Sequence, residues 1–222
     1  MTSANKIDPI VLLYRSQKTV FSIKDLSLIW RIDKDDYLKT KINRLIKSQK
    51  LFLIRKGFYA LGKNYDKIEL ANKMITPSYF GLYSALAQNG INFQYDSRIY
   101  SVSNQSRSIT VGNTEYVYKK IKGPILLNPA GIHFLGNKTV ASKERSIVDT
   151  LYLSPDFVFD QLTDIDWDLC LRIARAYSNK RLLSQIKRLK ENYAWSSRAW
   201  KFYDKNTIWY LQWTEFKPKA RV

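Results

Sequence analysis

Residues 33–61 read DKDDYLKTKINRLIKSQKLFLIRKGFYAL, and the pattern changes character halfway along. In the first half Leu38, Ile42, Leu45 and Ile46 recur at three-and-four spacing, the signature of a helix that buries one stripe. Asp33 stands where an N-cap belongs, which predicts a helix from about Lys34 to Gln49. Its opposite face carries Lys39, Thr40, Asn43, Arg44 and Lys47. The second half alternates or runs apolar in two short stretches, Leu51–Ile54 and Phe58–Leu61. Arg55-Lys56-Gly57 lies between them, so the reading is a hairpin with a basic tip.

Upstream, Asp8-Pro9 is a helix opening, because aspartate caps free N–H groups and proline at the first position loses no bond. Ile10, Leu13 and Tyr14 supply its apolar side. Thr19-Val20-Phe21 reads as a short extended segment. Ser22 then caps a helix from Ile23 to Trp30, with Leu26, Ile29 and Trp30 inward. The order helix, short strand, helix, basic helix, hairpin is that of a winged helix-turn-helix. A helix is about as wide as the DNA major groove, and base edges are read from its exposed face. There Asn43 and Arg44 have the chemistry for bidentate contacts to adenine and guanine. Lys39, Thr40, Lys47, Arg55 and Lys56 suit phosphate and groove contacts.

Charge agrees with a polyanionic partner. The 222-residue chain has a formal net charge of +18, enough to attract nucleic acid and make binding salt-dependent. Residues 1–62 hold 13 Lys/Arg against 5 Asp/Glu, whereas residues 63–179 hold 13 against 11. Residues 180–194 and 195–222 each carry +4, so the excess sits at the two ends. A hydrophobic fraction of 45% is that of a folded globule. Cys170 is the only cysteine, which excludes an intramolecular disulfide. With no secretory leader or apolar run long enough to span a bilayer, the expectation is a protein of the cytoplasm with no membrane partner.

The rest of the chain reads as a second, mixed α/β domain over residues 63–194, followed by a Trp-rich basic tail, residues 195–222. Tyr65–Ile75 is a linking helix with Ile68, Leu70, Ala71 and Met74 inward. Thr76-Pro77 is a start signal for a helix continuing to Leu86 and stopping near Asn89-Gly90. A small sheet follows, with strands over Ile99–Val102, Ser108–Val111, Tyr116–Ile121 and Ile132–Leu135. The alternation in 115–119 predicts a half-exposed strand. Ser142 caps a helix from Lys143 to Leu153, and further helices are expected near Phe157–Leu162, Trp167–Tyr177 and Lys180–Tyr193. The fold class is therefore α+β: a winged helix-turn-helix (1–62), then a mixed domain with a small sheet and C-terminal helices.

The segments PSYFGLYSAL (77–86) leading to NGI (89–91), and ASKERSIVDTLYL (141–153), placed after such an N-terminal module, resemble the AbiEi-type antitoxins of type IV toxin–antitoxin systems. The resemblance covers roughly residues 8–190. It rests on Pro77, Ser78, Tyr79, Ser84, Ala85 and Leu86 in the first motif, and on Ala141, Lys143, Glu144, Asp149, Leu151 and Tyr152 in the second. It implies a repressor that binds promoter DNA of its own operon and counteracts a nucleotidyltransferase-like toxin, by direct contact or functionally. Promoter repeats would place two copies, a homodimer, on one site. The resemblance implies no catalytic signature and no cofactor. As packing and capping residues these positions also have an ordinary structural reading. Asp149 stands apart, since an acid within an apolar helix face needs a partner or exposure.

Other chemistry is poorly supplied. His133 is the sole histidine, so neither a Cys/His zinc site nor a convincing nucleophile–base pair can be assembled. Asp156, Asp160, Asp164, Asp166 and Asp168 form an acidic run that could hold Mg²⁺ in a metal-dependent nucleic-acid enzyme, the alternative reading. The run equally suits a surface meeting a basic partner. On the helix from Lys180, the residues Lys180, Arg181, Lys187 and Arg188 lie off the apolar stripe and are candidates for a second phosphate contact. The tail from 195 holds Trp195, Trp200, Trp209 and Trp213, with no assigned role.

Overall fold

The computed structural model describes residues 8–94 and 96–201, with side chains through residue 193. The architecture is mixed α+β with two sheets. Near the N-terminus come α1 (Pro9–Arg15), β1 (Val20–Ser22), α2 (Ile23–Trp30), α3 (Asp35–Lys47) and the hairpin β2 (Phe52–Arg55)–β3 (Phe58–Ala60). The three strands pair antiparallel in the order β1-β3-β2. Asp8 caps α1 through the Ile10 N–H, and Ser22 caps α2 in a full capping box with Asp25. Leu13, Phe21, Leu26, Trp30, Leu38, Ile42, Leu51 and Tyr59 form one core, which fixes α3 to the two preceding helices.

Two local expectations fail here. Asp33 is not the cap of α3: Lys34 holds that position without a side-chain bond, and the helix is shorter, ending at Lys47. Asp35 and Asp36 occupy the first turn instead, where their charge favours the positive end of the helix dipole. Tyr14 is exposed, because α1 is only seven residues long and its buried side is filled by Leu13 with Ile10 alongside.

The remaining elements are α4 (Lys67–Met74), β4 (Ser78–Phe80), α5 (Leu82–Gln88), β5 (Ile99–Ser103), β6 (Arg107–Val111), β7 (Thr114–Lys120), α6 (Gly123–Leu126), β8 (Ile132–Leu135), β9 (Lys138–Ala141), α7 (Lys143–Leu153), α8 (Trp167–Ala176) and α9 (Lys180–Lys201). The second sheet is six-stranded, in the order β6-β7-β5-β4-β9-β8. Its β4–β9 and β5–β7 pairs are parallel and the others antiparallel.

Sequence signals misplace three parts of this second unit and miss a strand, β9. Residues 78–80 are a central strand, not the first turn of a helix. Tyr79 and Phe80 are aromatic strand formers, and pairing on both sides with β5 and β9 outweighs the local Thr-Pro start signal. The helix begins only at Leu82. Thr139–Ala141 is likewise a strand, closed onto β8 by the Gly136–Asn137 turn. Residues 157–162 form no helix: Phe157, Phe159 and Leu162 lie against the core in irregular chain held by Asp160 and Gln161 N–H bonds to the Ile91 carbonyl. The last helix runs on to Lys201, taking up the start of the segment read as a tail; residues 202–222 lie outside the described chain.

The middle of strand β7, Tyr116–Tyr118, is buried on both faces, and the expected exposure is confined to its end at Lys119 and Lys120. Val117 points to the core beneath α5, α7, α8 and α9. Tyr116 and Tyr118 point the other way, into a cluster with Val20 of β1, Leu70 and Ala71 of α4, and the hairpin residues Ile54 and Phe58. That cluster joins the N-terminal unit to the sheet. Polar contacts reinforce the junction: Lys73 joins Lys18 on Asp25 (2.7 and 2.5 Å) and Thr19 donates twice to Glu69, while Lys138 binds Asp66 at 2.8 Å within the second unit.

Candidate nucleic-acid interface

Helix α3 is amphipathic, with Leu38 and Ile42 buried and Leu45 and Ile46 partly buried. Locking that side leaves Lys39, Thr40, Asn43, Arg44 and Lys47 exposed. The structure thus brings the five helix residues singled out from sequence onto one open surface. Thr40 bonds its hydroxyl back to the Asp36 carbonyl at 2.8 Å, as a threonine within a helix commonly does. Asp36 is the residue sequence reasoning passed over. Four positions before Thr40, it lies on the same face, so the cationic stretch starts at Lys39 and a carboxylate marks its N-terminal end. Lys41 faces sideways, with its ammonium 4.7 Å from the Trp30 ring.

The hairpin tip is less open than the pattern implied. Lys56 is exposed beside Gly57, whose φ of 89° is the left-handed conformation that glycine adopts without cost. Arg55 is half-buried, because its Nη1 lies 3.2 Å from the Met74 sulfur of α4. With Ile54 and Phe58 packed into the junction cluster, one side of the hairpin is covered by the second unit. Arg55 therefore stands apart from the α3 surface.

Lys180, Arg181, Lys187 and Arg188 are all exposed along α9, whose buried side carries Leu182 and Ile186. They share their surroundings with the acidic run. Lys190 binds Asp168 at 2.8 Å, and Arg181 approaches Asp156 at 3.7 Å. Arg181 and Arg188 also edge a cavity of about 560 Å³ floored by Phe157, Phe159 and Leu189. The basic partner of the acidic run is thus partly the chain itself. Asp160 accepts the Phe93 N–H and Asp166 caps α8. Among the described residues, no group of three or more His, Cys, Asp or Glu side chains is placed to hold a metal ion.

The two motifs at residues 77–86 and 141–153 meet in the interior. Tyr79 donates to Asp149 at 2.7 Å, and Tyr177 donates to the other carboxylate oxygen. Asp149 and Arg145 are both 0% exposed, four residues apart on α7. Every guanidinium N–H of Arg145 has an acceptor: Nε on Asp149, Nη1 on the Asn128 and Ala130 carbonyls, Nη2 on Tyr79 and the Ile125 carbonyl. Burial pushes the Asp149 carboxyl up, opposed by the Arg145 charge and both tyrosine hydroxyls. Burial likewise pushes the Tyr79 and Tyr177 phenols far up, so both remain O–H donors. With all partners taken and no exposure, this cluster pins α7 to β4, α6 and α8 and has no free group for a substrate. Arg145 and Tyr177 were not singled out in the sequence; the Arg145–Asp149 spacing of four was the available signal. Of the other motif residues, Ala85, Leu86, Ala141 and Leu151 are core, and the Ser84 hydroxyl accepts the Tyr100 N–H, linking α5 to β5.

The chain matches no protein-family model and no curated protein. Among the described residues no helix is long and apolar enough to cross a membrane.

Proposed function

We propose that the protein is a DNA-binding transcriptional repressor whose N-terminal unit works as a winged helix-turn-helix, with α3 as the helix that enters the major groove. The observation that carries this reading is the α3 surface: Lys39, Asn43, Arg44 and Lys47 stand exposed together while the opposite side is fixed in the core. Strands β1, β3 and β2 provide the small sheet that such a module places behind its helices. The net charge of +18 supplies the long-range attraction. On the resemblance of its two interior motifs, the repressor acts in the cytoplasm as an AbiEi-like antitoxin, opposing a nucleotidyltransferase-like toxin without enzymatic activity of its own.

Footprinting the protein on the DNA upstream of its own gene tests the role. A protected repeat is expected, and Asn43→Ala or Arg44→Ala should weaken that site by about 1–3 kcal/mol while changing random-duplex binding far less. Absence of any protected sequence, or equal losses on both duplexes, would overturn sequence reading by α3.

A further inference from the structure

Strand β8 is one edge of the six-stranded sheet, pairing only with β9 among the described residues. Its sequence is Ile132-His133-Phe134-Leu135, and Phe134 and Leu135 are 77% and 57% exposed. Exposed sheet edges are ordinarily guarded by charge, proline or cover, since their free N–H and C=O groups template another strand. The opposite edge, β6, follows that rule with exposed Arg107, Ser108 and Thr110. The β8 edge does not. From Gly123 to Asn137 the chain carries no Asp, Glu, Lys or Arg, although the protein as a whole is +18. Leu127 in the same window is 70% exposed and, with Phe134, lines a shallow apolar cavity of about 280 Å³.

The hairpin register says which backbone groups are free. β8 and β9 are joined by the two-residue turn Gly136–Asn137, with Gly136 at φ 59°. In such a hairpin the closing pair exchanges backbone bonds and the next pair does not. Leu135/Lys138 and His133/Val140 are then the bonded pairs, and the Phe134 N–H and C=O point away from β9. The Ile132 N–H is already given to the Pro129 carbonyl at 3.0 Å. One donor and one acceptor on a single residue are self-complementary about a two-fold axis.

We propose that two copies of this chain associate edge to edge through β8, antiparallel about Phe134, to form a continuous sheet. Each Phe134 exchanges both backbone bonds with its counterpart, and His133 lies opposite Leu135 of the second copy. The apolar, uncharged window favours this occupant over nucleic acid, which would gain no cation here. It also lets two strongly cationic chains meet with no like-charge pair at the contact. The inference does not depend on the DNA-binding reading, and its test uses no DNA.

Sedimentation of the full chain would be followed over a concentration series reaching about 100 µM, with salt raised to screen long-range repulsion. The expected result is a species of twice the 26.1 kDa chain mass. Phe134→Pro deletes the outward N–H and the ring but no bond to β9, and should weaken the dimer at least about tenfold. Independently of that variant's folding, Phe134→Cys should oxidise to a linked dimer. Opposed α-carbons of a bonded antiparallel pair lie about 5.5 Å apart, within disulfide reach, and the native Cys170 is buried. Thr110→Cys on the other edge should form no disulfide-linked dimer. A chain that stays monomeric throughout the series overturns the proposal. So does a Phe134→Pro dimer as tight as the native one, or equal cross-linking at positions 110 and 134.

Discussion

Replacing Lys47 by Gln removes one cation from the open side of α3 without touching the core, and its effect on the salt dependence of DNA binding can be worked out in advance. Lys39, Arg44, Lys47 and Lys56 are the exposed cations that α3 and the hairpin present. If each neutralises one phosphate, binding falls with the logarithm of salt at a slope of about −3.6, or about 150-fold between 50 and 200 mM. With Lys47→Gln the slope should relax to about −2.7, and the same salt step should cost only about 40-fold. Arg55→Gln is the internal control, because that guanidinium is turned against Met74; its slope should equal the native one. Fluorescence anisotropy titrations on a labelled upstream duplex and on a scrambled one, at four salt concentrations, give the slopes directly. Cations beyond this surface, including Lys187 on α9, would steepen every slope equally, so the comparison rests on differences. An unchanged slope for Lys47→Gln, or a relaxed slope for Arg55→Gln, would refute the assignment of α3 as the phosphate-facing surface.

Asp149→Ala leaves the Arg145 guanidinium buried without its carboxylate and should cost about 3–5 kcal/mol, read as a lower urea midpoint; a loss under about 1 kcal/mol would show that the pair does not pin the fold. At Asp25, burial pushes the carboxyl up, but the Lys18 and Lys73 ammonium groups and Ser22 outweigh it and hold it below the usual carboxylate range. Its folded pKa lies below its unfolded one, so this stabilisation is present above about pH 4 and is lost as pH falls further. The acid-induced drop in melting temperature should be shallower in Asp25→Asn, and an identical drop in both proteins would exclude Asp25 as a source.

How much of this was legible in the sequence depends on how local each cause is. The Asp8-Pro9 and Ser22 caps act within a few residues, and α1 and α2 start where they predict. The α3 stripe is a property of one helix, so its buried and exposed sides could be sorted without a partner. Strand β4 could not be found in this way. Nothing within three residues of Tyr79 announces that β5 and β9 will flank it, and the nearby Thr-Pro signal points to a helix. The second face of β7 fails for the same reason: Tyr118 donates to the Ala71 carbonyl, 47 residues away, and only the folded chain brings α4 over it. Arg55 is the functional counterpart, read as a tip cation from its turn and redirected by Met74 nineteen positions on.

The redirected hairpin also changes what kind of DNA reader is proposed. A free wing would add its own groove contacts, but here Ile54 and Phe58 are built into the junction with Leu70, Tyr116 and Tyr118. Specificity must then rest mainly on α3, where Asn43 and Arg44 are the side chains able to distinguish bases and Asp36 repels phosphate at one end. In return, the N-terminal unit is held to the second by an apolar cluster, by the Asp25–Lys73 ion pair and by the bonds of Thr19 to Glu69. The β8 edge and the α3 surface share no residue, so the proposed contact takes up no α3 side chain. A pair of chains coupled in this way would present two reading helices at a fixed separation, and half-site spacing would be set by the sheet and not by a flexible linker.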